Sequence, residues 1–85
     1  MERCSVDERP ATETEGGALR RPLSDALGTD HLSLNRYRVP TGDHLSLSRH
    51  AHTDQEEVFV VLAGEATFET RDGEVTVGER EAIRF

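Results

Sequence analysis

The pattern of apolar and polar residues changes near residue 31. Before that point, the single candidate helix is the run at residues 23–28, one helical turn that ends at Gly28. After it, apolar and polar residues alternate, as in strands that bury one face. No long apolar stripe at helical spacing occurs anywhere in the sequence. The chain is therefore expected to be all-β.

Turn residues divide the second part of the chain into short strands. We expect six or seven strands in all, those after residue 30 covering residues 31–39, 45–52, 57–62, 66–70, 75–77 and 82–85. The run at 57–62 is apolar on both faces after its first residue, which favours a strand buried on both sides. Asp72-Gly73 is typical of a two-residue hairpin turn. Short strands at such spacing predict an antiparallel sandwich or barrel.

The N-terminal part of the chain has no such alternation. Residues 1–18 are mostly charged or small, with Pro10 and the pair Gly16-Gly17. We expect a flexible N-terminal segment over residues 1–18 and one domain over residues 19–85. The N-terminal segment is also expected to have a short strand at its end.

The hydrophobic content predicts a thin core. Leu, Ile, Val and Phe together number 19 of 85 residues, close to the level at which acidic chains stay disordered. Small domains of this kind usually gain stability from a metal, a partner subunit or further chain. Unpaired strand edges would also recruit other chains, so we expect a homo-oligomer.

The charge balance excludes some partners. The chain has 17 acidic and 10 basic residues, a net charge of −7, and every basic residue is Arg. Because phosphate contacts need clustered positive charge and these arginines are scattered along the sequence, neither nucleic acid nor an anionic membrane is an expected partner. The lysine-free acidic composition is similar to that of proteins from salt-loving microbes. The alternative is a GC-rich genome that prefers Arg codons.

The sequence also predicts a cytoplasmic protein. No stretch approaches the ~20 apolar residues of a membrane span, and the first residues contain no apolar leader. The one cysteine, Cys4, has no internal disulfide partner and lies in a polar segment, so it is expected to be incidental.

Three residues near the middle of the chain have the chemistry of a metal site. His50 and His52 are two residues apart on a predicted strand, so both imidazoles project from one face, with Cα atoms about 7 Å apart. The polar turn at residues 53–55 then returns the chain and brings Glu57 beside them. Two imidazoles and a carboxylate suit Fe, Mn, Ni or Zn, with coordination positions left open for a ligand.

The spacing of these residues resembles the first motif of the cupin superfamily, G-x5-H-x-H-x3/4-E-x6-G. His50, His52, Glu57 and Gly64 match it, and the similarity extends over residues 37–85. The resemblance is to small single-domain cupins and implies a jelly-roll-like antiparallel barrel with a divalent metal inside. The first-motif segment lies within residues 42–64.

Two features depart from that pattern. Seven residues, rather than five, separate Gly42 from His50. The second motif, G-x5-P-x-G-x2-H-x3-N, is absent up to Phe85, and in the family its His is often a fourth ligand. The resemblance therefore implies an incomplete barrel, truncated before its closing strands. Among other candidate ligands, Glu56 is assigned to the exposed turn and His44 to the surface.

The expected function is metal-dependent positioning of a small polar ligand. If the protein is an enzyme, the resemblance implies dioxygenase-, isomerase- or epimerase-type chemistry, and the sequence does not choose among these. The alternative is a non-enzymatic ligand-sensing or structural cupin, or an inactive truncated product. No general acid or base is evident besides the candidate ligands, so whether the protein is catalytic stays open.

Overall fold

The computed structural model describes residues 1–45 and 56–85. The chain divides into two compact units, Met1–Arg49 and His50–Phe85, called here the N-terminal and C-terminal units. Most of the strand predicted at residues 45–52 lies outside the described residues. The boundary predicted between residues 18 and 19 stays a prediction.

The N-terminal unit is built on an antiparallel sheet of three strands in the order β1-β2-β3. A 3₁₀ turn precedes it, and a one-turn helix separates the last two strands; the elements are the turn Val6–Glu8, β1 Thr12–Glu13, β2 Leu19–Pro22, α1 Ser24–Leu27 and β3 Asn35–Arg38. The short strand β1 lies within the segment that the sequence predicts to be flexible, and not at its end.

The predicted helical turn is confirmed. The helix α1 ends at Gly28, which has φ 69° and ψ 31° and donates its backbone N–H to the carbonyls of Asp25 and Ser24. Glycine tolerates this left-handed conformation because it has no Cβ to clash with the following carbonyl.

The strand predicted at residues 31–39 is shorter than expected. Its alternation begins at Leu32 and Leu34, yet both are exposed, and β3 starts at Asn35. The backbone of Leu34 is already used by the start of the helix: Leu34 N–H donates to Ser24 Oγ at 2.6 Å, and Leu23 N–H donates to Leu34 O at 2.9 Å. The Leu23–Leu34 bond continues the β2–β3 register by one residue. The Leu34 N–H is taken by the Ser24 side chain, so the regular ladder does not continue beyond this pair.

The described part of the C-terminal unit, residues 56–85, contains four antiparallel strands in two pairs. They are β4 Val58–Val60, β5 Ala66–Thr70, β6 Gly73–Val77 and β7 Ala82–Arg84. β5 pairs with β6 as a hairpin, whereas β4 pairs with β7, so the hairpin lies between them in sequence. The predicted strand at 66–70 has the observed bounds, with Thr67 and Glu69 exposed as expected.

The hairpin turn lies one residue earlier than predicted. Thr70 pairs with Gly73, so the two loop residues are Arg71 and Asp72. Gly73, with φ 114°, begins the return strand, and neither loop residue has a positive φ. The turn therefore differs from the type I′ geometry, which needs positive φ at both loop residues.

The core is thin, and one prediction about it is wrong. Among residues 1–45 and 56–85, the buried apolar residues are Ala18, Leu23 and Val77. The strand β4 was expected to be buried on both faces, but Val58 and Val60 are 61% and 57% exposed, and Leu62 beyond it is 70% exposed. The other face of β4 carries Phe59. That face is partly covered, because the rings of Phe68 and Phe85 pack against the ring of Phe59.

The all-β fold is confirmed by the described residues. All strand pairs are antiparallel, and the one α-helix among these residues is a single turn. The sheets of three, two and two strands do not join into a closed barrel within residues 1–45 and 56–85. In the same residues, no helix has the length and apolar character needed to cross a membrane.

Candidate functional site

The predicted ligands divide between described and undescribed parts of the chain. His50 and His52 lie outside the described residues, so their metal-ligand role stays a prediction, as does that of Glu57. Among residues 1–45 and 56–85, no three His, Cys, Asp or Glu side chains form a group that could hold a metal ion. Of the three predicted ligands, Glu57 is therefore the one whose surroundings the structure describes.

The backbone of Glu57 is fixed by the strand pair β4–β7. Glu57 N–H donates to Phe85 O at 3.3 Å, and Phe85 N–H donates to Glu57 O at 2.8 Å. This reciprocal pair extends by one residue the register in which Val58 opposes Arg84 and Phe59 opposes Ile83. Residues that exchange both bonds lie directly opposite each other in an antiparallel pair. Glu57 is thus held at the end of a ladder.

Strand alternation assigns Glu57 and Glu56 to opposite faces. Glu57 shares the face of Phe59 and Val61, which are both partly covered, whereas Glu56 shares the face of the exposed Val58. Glu56 Oε1 also accepts a hydrogen bond from Arg84 Nη1 at 3.3 Å. Within the described part of the chain, the Glu57 carboxylate makes no ion pair. Both carboxylates are exposed, and Glu57 is the one on the face of Phe59 and Val61.

Three phenylalanine rings line the face that Glu57 shares. The ring centroids of Phe59, Phe68 and Phe85 are 5.4, 5.6 and 5.9 Å apart in tilted or edge-on orientations. Such aromatic pairs add about 0.5–1.5 kcal/mol each beyond the area that they bury. These are all the phenylalanines of the chain. Phe59 follows Glu57 by two residues and Phe85 lies opposite Glu57, so strand alternation places both on the face of Glu57.

His44 is exposed, as expected, and its surroundings lie in the N-terminal unit. Its backbone N–H donates to Gly16 O at 3.0 Å, and it forms an isolated bridge with Gly17. A Cβ built on Gly16 would come within 2.8 Å of the His44 imidazole. The pair Gly16-Gly17 therefore lets the chain approach the turn that carries His44.

Gly64 lies in the turn that follows β4. Its φ is 77°, a conformation that favours glycine, and its backbone N–H donates to Glu79 Oε1 at 3.3 Å. The chain bends at residues 63–64 and continues into β5. The positive φ at this position therefore explains why the motif has a glycine here.

Comparison with known proteins identifies the family. The cupin-domain family model matches residues 35–85, which is 51 of 85 residues and includes all of β3 to β7. Comparisons with curated proteins and with solved structures gave no match. Because the family match covers more than half of the sequence, this chain belongs to the cupin family.

Proposed function

We propose that this cupin domain-containing protein binds a divalent transition metal through His50, His52 and Glu57. The bound ion would position a small polar ligand. Cupin domains commonly bind divalent metals, and the H-x-H…E spacing of the chain supplies the matching donors. The cytoplasmic location expected from the sequence stays a prediction.

The position of Glu57 is the observation that carries the proposal. Its backbone is held by two hydrogen bonds to Phe85, and by strand alternation its carboxylate shares the face of Phe59. The adjacent carboxylate, Glu56, is on the other face and is bonded to Arg84. A ligand needs an uncommitted carboxylate on a fixed backbone, and this describes Glu57 rather than Glu56.

The donor chemistry restricts the ion. Two neutral imidazole nitrogens and one carboxylate oxygen favour Fe, Mn, Ni or Zn over Ca or Mg. Such an ion supplies Lewis acidity and open coordination positions. With three protein donors, we expect moderate affinity. The phenylalanine rings beside Glu57 would give the site one apolar wall, which lowers the local dielectric and strengthens polar contacts to a ligand.

A second candidate is a cupin that senses a ligand or has a structural role without catalysis. It is favoured by the absence of an evident general acid or base beside the proposed ligands. Substrate-dependent turnover by the metal-loaded protein separates the two candidates, because a sensor binds its ligand and leaves it unchanged. The reaction class stays open, since cupins support many chemistries on one scaffold.

Metal titration of histidine variants tests the proposal. We expect His52→Ala to lose nearly all affinity for Zn(II) or Mn(II) in titration calorimetry, because one of three donors is removed. The matched control is His44→Ala, which removes an exposed imidazole in the N-terminal unit and should change affinity little. Equal losses in both variants would show that the ligand assignment is wrong.

A further inference from the structure

Four of the ten basic residues are brought together by one pair of strands. The strands β2 and β3 contain Arg20, Arg21, Arg36 and Arg38 within eight residues. In the register of this pair, Arg21 lies directly opposite Arg36. Directly opposed residues share a face, and like charges in that position destabilise a sheet. In a chain of net charge −7, two directly opposed positive side chains are unexpected unless a negative group compensates them.

Neighbouring arginines on β2 have different surroundings. Arg20 Nε donates to Asn35 Oδ1 at 3.0 Å on one face of the sheet. Arg21, on the other face, has a buried Nε atom without a hydrogen-bond partner. Buried polar atoms are rarely left unpaired, and exceptions often mark the place of a bound water or ion. Arg21 is therefore a donor without an acceptor among the described residues.

The carboxylates near this face do not neutralise it. Asp7 Oδ1 accepts from Arg36 Nη1 at 3.4 Å, but its side chain is 87% exposed, so the pair contributes little. Glu13 lies on the same face, opposite Leu19, and Leu19 in turn lies opposite Arg38. Leu19 thus separates Glu13 from Arg38 by a full strand. No carboxylate in residues 1–45 is bonded to Arg21.

We propose that Arg21 and Arg36 form an anion site for the phosphate group of a small molecule. Each guanidinium presents a planar fork of N–H donors that matches oxyanions bidentately. One carboxylate is saturated by a single fork, whereas a phosphate carries enough oxygens for two forks from adjacent strands. A doubly charged phosphate between Arg21 and Arg36 also replaces their mutual repulsion with attraction. The site shares no residue with the proposed metal site and does not depend on it.

Thermal melting in phosphate provides the test. The full chain is melted in increasing inorganic phosphate and in sodium chloride of matched ionic strength, and a small phosphate monoester forms a third arm. We expect a saturable rise in Tm with phosphate that chloride does not reproduce. Because phosphate strengthens apolar burial in every protein, the decisive readout is the difference between variants.

Two arginine variants complete the design. Arg21→Gln should melt higher than the parent in chloride, because a like-charge contact is removed, and should lose the saturable rise. Arg21→Lys keeps the charge but not the fork and should weaken phosphate binding about tenfold or more. Arg20→Gln, a change at the neighbouring residue on the opposite face, should keep the parent's response.

Several results would overturn the assignment. Equal responses of Arg20→Gln and Arg21→Gln would do so, as would a parent whose Tm follows ionic strength alone. If Arg21→Gln fails to fold, Arg21→Lys and Arg36→Gln decide the question by the same comparison. Saturation by the monoester and not by inorganic phosphate would support the site and identify an organic phosphate as its ligand.

Discussion

Glu57 and Phe85 lie directly opposite each other and exchange both backbone hydrogen bonds, at 3.3 and 2.8 Å. The last residue of the sequence thereby fixes the backbone of the predicted carboxylate ligand. The ring of Phe85 also packs against Phe59 and Phe68, so one residue contributes to both the ladder and the apolar wall. The position of Glu57 therefore depends on pairing with a residue 28 positions away in sequence.

A strained turn residue in the C-terminal unit offers a stabilising substitution. Arg80 has φ 64° and is the one non-glycine residue with positive φ among the described residues. Its N–H donates to Val61 O at 2.7 Å, and Glu81 N–H closes the turn on Gly78 O at 3.1 Å. Because a side chain in this conformation costs about 1–2 kcal/mol, Arg80→Gly should raise the free energy of unfolding by about 0.5–1 kcal/mol after the entropy of glycine is subtracted.

Urea denaturation of Arg80→Gly and Arg71→Gly checks this expectation. Arg71 is an exposed loop residue without positive φ, so its change to glycine should lower stability through unfolded-state entropy. If both variants lose stability equally, backbone strain at Arg80 is not significant.

Salt should stabilise the protein. Like charges oppose each other in the sheets, with Glu69 opposite Glu74 and Arg21 opposite Arg36, and the net charge is −7. The ion pairs Arg36–Asp7 and Arg84–Glu56 are exposed, so their screening costs little. We expect the midpoint of thermal unfolding to rise markedly between about 0.1 M and about 3 M KCl. An unchanged or lower midpoint at high salt would remove the proposed similarity to proteins of salt-loving microbes.

Self-association is proposed for the exposed apolar residues in and just after β4. Val58, Val60 and Leu62 are more than half exposed, and contact between two copies would remove them from water. Light scattering should give a dimer or larger species, and Val60→Lys should shift it toward the monomer. Thr67→Lys, on an exposed position of β5, serves as the control. A sharp parent peak at the chain mass of 9.5 kDa would contradict self-association.

Local sequence patterns predicted where the helical turn and the strands form better than they predicted what packs against these elements. The strand Ala66–Thr70 and the helix stop at Gly28 follow from alternation and from glycine chemistry, which act over a few residues. The exposure of Val58 and the late start of β3 could not be read locally. The first depends on what packs against β4, and the second on the hydrogen bond from the Leu34 N–H to the Ser24 side chain.

The candidate site shows the same division. The motif spacing identified the family and favoured Glu57 over Glu56, and strand parity agrees with that choice. The partner of Glu57, Phe85, and the opposed Arg21 and Arg36 became visible only with the register of β4–β7 and β2–β3. Register between distant segments depends on their tertiary pairing, which local sequence patterns do not reveal.

The central claim is that Glu57, and not its neighbour, is the carboxylate ligand of a metal. Titration calorimetry with Zn(II) or Mn(II) on the parent, Glu57→Gln and Glu56→Gln tests it most directly, because both substitutions keep side-chain size and remove one charge. Mutating a residue that only supports a metal ligand weakens metal binding roughly 10- to 100-fold. Loss of a direct ligand should weaken binding more than that. We predict such a loss for Glu57→Gln and nearly parental affinity for Glu56→Gln. Equal affinities of the two variants, or a parent that binds neither metal, would contradict the account.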